Sequence, residues 1–495
     1  MKIDLGDPSL FGNDAGEDEE ESVLLSYFVE QPAFGPFLSD RDLSIVNGRK
    51  GTGKSALLLR LAHELRSKPG PERPVVLHLV PSELVALKDP PASDDHNILV
   101  NYWKQVMCGA INMELAHDIG FAWSDNQMAL VESAEIAGFK GRDLLSSLVS
   151  RLVGKVNVGG VELTNTPRPS PNHQQLLRRL DREQGLRRPV WFLLDDLDAR
   201  YTNSPAQRAF ISAFFSAARY LANETQGVRV RATVRSDVWT SLADCEEMDK
   251  AEQYRIEIVW SGSQQKILLA QRVLAYVCRK YPEDPAASAL TARNHADELI
   301  GLAFTDKMKW GRSMVPPDHV VRILGGGRPR WIAQLCRMAG LNAVREGKDR
   351  IAVQHITQAM GEFGRRRLSD LYKEHHFQFG SAHELQALIE SFAGGARRYS
   401  TDELLKQIES NYVARHGADK VPAVDGNPYV RPLQIAKFLY RCGFINGNNS
   451  SKARLEAPEF ITYDLRRDLL EVATNLDDGM SWEVHPAYRN VLQIN

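Results

Sequence analysis

A chain of 495 residues is too long for a single core and suits two to four domains, and its 43% hydrophobic and 25% charged residues exclude disorder over most of the length. A formal net charge of −2 excludes nucleic-acid binding driven by overall charge and leaves only local basic patches for that purpose. Five scattered cysteines without C-x-x-C spacing exclude a zinc or dithiol motif and suit a reducing compartment.

The first residues, MKIDLGDPSLFGNDAGEDEEES, contain no basic segment followed by an apolar run, and no later stretch approaches eighteen apolar residues. A soluble cytoplasmic protein with no membrane partner is expected. Residues 1–40 read as an acidic lead-in, with Glu17 to Glu21 a solvated helix start whose carboxylates favour the helix dipole.

From Leu43 the pattern sharpens. LSIV is a short apolar run stopped by Asn47 and Gly48, and SALLLRLAHELR continues with helical spacing, which predicts strand, glycine loop and helix. VVLHLV predicts a second buried strand, and NILVNYWKQVMCGAINMELAHDIG a long helix, so the region forms a β-α-β unit with a parallel sheet. Residues 119–186 mix a helical segment with a glycine-rich one and read as an insertion. PVWFLLDDLD, the helical QRAFISAFFSAARYLAN, VRVRATVR and YRIEIVW then complete a sheet of about five strands, mostly of the apolar kind expected of buried parallel strands.

After Trp260 the strands are expected to stop, and helices such as SQQKILLAQRVLAYVCRKY and RWIAQLCRMAGLNAVREG to dominate. The last segments, YSTDELLKQIESNYV, RPLQIAKFLYRCGFING, FITYDLR and SWEVHPAYRNVL, read as helix, helix, strand and strand, with the final pair as a wing. The predicted fold class is therefore α/β: a P-loop NTPase parallel sheet flanked by helices over 41–262, an all-α lid over 263–385, and a winged-helix-like domain over 386–495.

The chemistry concentrates in NGRKGTGKSALLLRL, where Gly48, Gly53, Lys54 and Ser55 fit G-x-x-x-x-G-K-[ST]. In Gly48, Arg49, Lys50, Gly51, Thr52, Gly53, Lys54, Ser55 and Ala56, glycines let backbone N–H groups turn toward phosphate oxygens, and the helix start adds its positive end. Lys54 is expected on the β/γ-phosphates of ATP and Ser55 on Mg²⁺. Carboxylates at the end of an apolar strand supply the rest: Asp195 as the second Mg²⁺ ligand, through water, and Asp196 as general base or water-orienting group. Helix capping is the other reading of Asp196 and of Asp198. An aspartate at 196 is one methylene shorter than a glutamate, which suits slow or partner-stimulated hydrolysis.

Arg235, beyond the VRVRATVR strand, is a candidate for a nearby phosphate, with a solvated arginine as the rival. Arg330, opening a helix after GGGRP, is a second candidate, with helix capping as its rival. GRKGTGKS, LLDDLD, ATVRSDVW and GGRPR, in this order, resemble AAA+-related ATPases of the branch that joins origin-recognition ATPases to STAND signalling ATPases. Gly327 and Pro329 are similar to the STAND helical-domain motif, whereas Arg330 is similar to the sensor-2 arginine of origin-recognition ATPases. His485 in VHPAYRNVL resembles the M-H-D histidine that meets the nucleotide in NB-ARC proteins, though Val484 and Pro486 depart from that motif and a buried structural histidine is the alternative. The N-terminal FGNDAGEDEEESVLLSYFVE, with the phosphate loop and RSDVW, looks like a bacterial defence-associated P-loop ATPase family.

The resemblance implies a catalytic set of Lys54, Asp195, Asp196, Arg235 and Arg330 in an ATP- and Mg²⁺-dependent conformational switch or assembly ATPase. Its expected partners are further copies of the chain and a separate effector protein, and Arg200 or Arg219 could donate a finger to a neighbour. A DNA-associated loader or transposition-type ATPase is the alternative, in which Arg365, Arg366 and Arg367, or Lys437 and Arg441, meet phosphates. For these the competing readings are a solvated helix face and a packed helix that also carries Leu433, Phe438 and Leu439. The adjacent His375 and His376 cannot share a metal from one helix and read as surface residues.

Overall fold

The computed structural model describes residues 3–13, 19–70, 73–85, 88–119, 172–184, 186, 188–199, 201–417, 420–428, 430–448, 460–470 and 480–494, so most of the predicted insertion lies outside the described residues. The chain divides into two compact units: Pro32–Gly48 with Lys54–Ile258, and Met1–Gln31 with Arg49–Gly53 and Val259–Asn495.

The first unit is a five-stranded parallel sheet of β1 (Leu43–Gly48), β2 (Val75–Leu79), β3 (Val190–Leu194), β4 (Val228–Arg235) and β5 (Arg255–Glu257), in the order β2-β3-β4-β1-β5. Position in the sheet explains the sequence pattern. The inner strands β1 and β3 are buried at every residue, β3 as an unbroken apolar run and β1 with Ser44 and Asn47 among its apolar residues, whereas the edge strand β2 alternates buried with half-buried residues. Helices Lys54–Arg66, His96–Ile119, His173–Gln184 and Pro205–Glu224 accompany it. The last starts where the Ser204 side chain accepts from the Gln207 amide at 3.3 Å and Pro205 occupies the first turn. The order of the strands has a consequence for chemistry. β4 separates the phosphate-loop strand β1 from the acid-tipped β3, and its register, Gly48 against Arg235 and Leu194 against Ala232, brings all three C-terminal ends to one edge.

The second unit is helical through Gly262–Lys280, Ala296–Ala303, Pro317–Gly325, Pro329–Arg345 and Val353–His375. A capping box on Ser261 and Gln264 starts the first of these. One correction falls here: strands do not stop after Trp260, because β6 (Met308–Trp310) and β7 (Ser313–Val315) form an antiparallel hairpin between two helices. The N-terminal residues Ile3, Leu5, Leu10 and Phe11 are buried in this unit's core, and the buried Arg272 guanidinium bonds the Phe11 carbonyl. Glu19, in the acidic run, accepts from the Asn13 amide and the Tyr27 hydroxyl.

The winged-helix portion consists of Ala382–Glu390, Thr401–Ile408, Pro432–Arg441 and a sheet in the order β8-β10-β9, from β8 (Arg398–Tyr399), β9 (Ile445–Asn448) and β10 (Ser481–Val484). Thr401–Ile408 begins at a Ser400–Glu403 capping box and runs on into a π-helical turn, Glu409–Val413. A second correction concerns FITYDLR. It is not a strand: only Ile461 pairs, in an isolated bridge with Gly447, and turns follow. Trp482 of β10 explains why this small sheet is fixed, since the side chain is fully buried and its Nε1–H donates to the Thr401 hydroxyl at 2.9 Å.

Candidate nucleotide site

Between β1 and the helix Lys54–Arg66 the chain makes the loop that the motif requires. Gly51 and Gly53 have φ of +80° and +97°, a region that side chains rarely adopt, so glycine is needed at both for the loop to turn. Lys54 is only 9% exposed, and its ammonium folds back to donate to the Gly48 carbonyl at 3.1 Å. Ser55 and Ala56 are half-buried in the first turn of the helix.

At the tip of β3 the carboxylates have different environments. Asp195 accepts the Thr233 hydroxyl at 2.6 Å and the Asp196 amide at 2.9 Å, both on Oδ1, and its Oδ2 takes no hydrogen bond from a described residue. Asp196 is exposed and has a φ of +54°, and its amide also donates to Thr233 at 3.0 Å. Asp198 is almost fully buried and accepts the Arg235 amide at 3.2 Å. Burial raises the Asp198 pKa to about 6 against the opposing pull of Lys54 and Arg235, with Asp237 and Asp196 adding to the rise.

Arg235 is held on both sides: its Nε lies 3.6 Å from Asp198 Oδ2 and donates to Asp237 Oδ1 at 3.1 Å, while a terminal nitrogen pairs with Asp237 Oδ2. Asp237 and Thr233 carry no role in the sequence reading. Register was the available signal, because Thr233 lies one residue beyond the Ala232 that pairs with Leu194.

In the second unit, Arg49–Gly53 meet a different set of groups. The Arg49 guanidinium forks onto Asp464 at 3.1 and 3.2 Å and donates to the Arg441 carbonyl at 3.0 Å. Burial works against this cation, but Asp464 and Glu374 outweigh it and hold its pKa above the ordinary arginine value. The Lys50 amide donates to Glu374 Oε1 at 3.2 Å, and Glu374 Oε2 accepts Arg328 at 2.7 Å with both side chains buried. The Arg330 amide donates to the Gly51 carbonyl at 3.3 Å, and the Trp260 indole to the Thr52 carbonyl at 2.8 Å. His485 is buried against Trp331 and Tyr488, with Nδ1 accepting the Ala487 amide at 3.2 Å. Burial, then the charges of Arg489 and Arg328, lower its pKa to about 3, so the ring is neutral at physiological pH.

No family model matches the chain. Among curated proteins it is similar to the putative transposon gamma-delta 80.3 kDa protein of Escherichia coli strain K12, at 22% identity over 518 residues, covering 100% of this chain and 68% of that protein. Loose similarities to solved structures include Cdc6p of Pyrobaculum aerophilum, at 12% identity, TM-score 0.32 and 98% coverage of both chains. The ORC1 protein of Aeropyrum pernix in complex with DNA matches at 15% identity, TM-score 0.33 and coverage of 91% and 86%. The ORC2 protein of the same organism, as ADPNP–ADP complexes, matches at 12%, 0.39, and 92% and 88%. The P-loop fold is read from the strand order and the glycine loop of this chain.

Within the sheet unit, therefore, Lys54, Asp196, Asp198 and Arg235 lie close enough to influence one another, whereas Arg49, Lys50, Gly51 and Arg330 associate within the second unit. Two expectations about other residues need correction. Arg367 is not on a solvated face: it is buried between Trp331 and Phe363 and paired with Asp370 at 3.1 Å, because its turn of the helix faces the core. Arg366 does stay outside, paired with Glu362. His375 is buried too, its Nδ1 lying 2.7 Å from Gln378, so it is not a surface residue. Arg219 pairs with Glu247 at 2.7 Å, Arg441 pairs with Asp425, and Arg200 lies outside the described residues.

Proposed function

We propose that this chain binds and hydrolyses ATP and uses the cycle as a regulatory or assembly switch, in the manner of an origin-recognition-like P-loop ATPase. The observation that supports this most is the Thr233-held Asp195 at the tip of β3, on the same sheet edge as the β1 end that leads to Lys54. Lys54 would leave the Gly48 carbonyl for the β/γ-phosphates, a short movement for a flexible side chain. Asp196, exposed beside Asp195, would orient the attacking water, and Arg235 would exchange a carboxylate for the γ-phosphate.

The donors suit Mg²⁺. Ser55 and the Oδ2 of Asp195 are hard oxygens, and no cluster of three or more His, Cys, Asp or Glu among the described residues would bind a metal alone, which accords with an ion that arrives on phosphates. Bound there, Mg²⁺ would neutralise charge on the phosphate oxygens. Arg330 and the neutral His485 would report the loop's state to the helical lid, 263–385, and the winged helix, 386–495. Further copies of the chain and a separate effector are the proposed partners, and the defence setting rests on motif resemblance alone.

A second reading, a DNA-associated or transposition-type ATPase, is favoured by the transposon relative, whose match spans the whole chain, and by the winged-helix sheet. ATP turnover by wild type and Asp196→Asn across a protein-concentration series, with mass photometry alongside, tests the first reading. Turnover that rises with assembly and disappears in the variant is expected. Wild-type levels of hydrolysis by Asp196→Asn would remove Asp196 from the catalytic set.

A further inference from the structure

The β6–β7 hairpin has no place in the nucleotide chemistry, and its two faces differ. Side chains alternate along a strand, so Met308 and Trp310 share one face of β6 while Lys309 lies on the other, with Lys307 immediately before the strand. The register pairs Lys309 with Met314 and Trp310 with Ser313 across a two-residue turn, Gly311–Arg312. Met308 is buried, and Trp310 and Val315 pack on the core of the unit. That face anchors the ribbon.

On the outer face Lys307, Lys309 and Arg312 are exposed, and none of the three forms an ion pair with a described residue. The one carboxylate next to them in sequence, Asp306, is committed to Arg350 at 3.5 Å. Met314, opposite Lys309, is 60% exposed, a large apolar side chain kept in water on a strand whose partner is cationic. In a chain of net charge −2, this is three uncompensated cations on one two-stranded ribbon.

We infer that the hairpin is a DNA-contacting element that lays its outer face in a groove of duplex DNA. A two-stranded ribbon has the cross-section that the major groove admits. Lys307 just before β6, Lys309 on it and Arg312 in the turn meet successive phosphates, and Met314 provides the apolar contact to base edges or a step between them. An acidic protein surface would satisfy the cations but would not account for a methionine presented in the middle of them. The inference deepens the DNA-associated reading, and rests on it for the choice of duplex DNA over other polyanions.

The test is fluorescence anisotropy of a labelled DNA duplex titrated with full-length protein at several salt concentrations, with polyglutamate as a competing probe. Variants are Lys309→Ala/Arg312→Ala, Met314→Ser and the charge-keeping Lys309→Arg/Arg312→Lys; all alter exposed side chains, and circular-dichroism melting reports that each variant is folded. Wild type should bind the duplex, the alanine pair should weaken it and lower the salt slope by about 2, and the charge-keeping pair should restore both. Met314→Ser should weaken binding without changing that slope. Wild-type binding with an unchanged slope in the alanine pair would overturn the hairpin inference and leave the DNA-associated reading standing. No duplex binding by wild type, or hairpin-dependent binding of polyglutamate alone, would overturn both.

Discussion

Two charge clusters in this molecule are built on opposite principles. In the second unit charges balance in pairs: Arg328 with Glu374, and Arg49 with Asp464. At the tip of the sheet the described residues do not, since Asp195, Asp196, Asp198 and Asp237 stand against Lys54 and Arg235, four carboxylates to two cations. The pairs satisfy each other and can hold the chain in place. Among the described residues the sheet cluster is electrostatically unfinished: one arginine is divided between two acids and one acid is driven toward neutrality, the condition expected of a site that gains a cation and loses a proton or a contact during its cycle.

The comparison breaks most visibly at the balanced pair. Glu374→Ala would strand the buried Arg328 cation and the Lys50 amide, and should cost about 3–5 kcal/mol, read as a large drop in the denaturation midpoint. Gly51→Ala comes next, at about 1–2 kcal/mol, because an L residue is strained at that φ and its Cβ would lie 3.0 Å from that of Arg330. Asp237→Asn should cost only about 1 kcal/mol, since Arg235 keeps Asp198; a loss as large as that of Glu374→Ala would show that the sheet cluster is a fixed pair as well.

The smallest effects are in pH, and they have opposite signs. Asp198 binds its proton more tightly folded than unfolded, so its contribution falls as pH rises from the ordinary carboxylate range through about 6. His485 binds its proton less tightly folded, so its contribution is intact above about 6.5 and is lost as pH falls toward 3. Relative to wild type, the slope of melting temperature against pH between pH 4 and 6 should therefore become more positive in Asp198→Asn and more negative in His485→Gln. Parallel shifts in the two variants would contradict the assigned causes.

What the sequence made legible was local. The strand, glycine loop and helix around Lys54 and the acid-tipped strand at Asp195 are set by neighbouring residues, and they occur where the pattern puts them. What it hid depends on residues far along the chain. Arg367 and His375 look solvated in GRRRLSDLYKEHH because nothing nearby announces that Trp331 and Gln378 will enclose them. The pairing of Lys50 with Glu374 spans 324 residues. FITYDLR has strand-like composition, but only Ile461 finds an edge to pair with. MKWGRSMV was missed because its strands are three residues each, too short for an alternation to be seen against flanking helices.

The central claim is that the unfinished cluster serves phosphates and Mg²⁺, and the most direct measurement is ATP binding and steady-state turnover by wild type and Asp195→Asn, which keeps the size of the side chain and removes its charge. The account predicts that the variant binds ATP but loses turnover by about a hundredfold or more, with excess Mg²⁺ failing to restore it. Equal turnover in the two proteins, or a wild type that does not bind ATP, would contradict it.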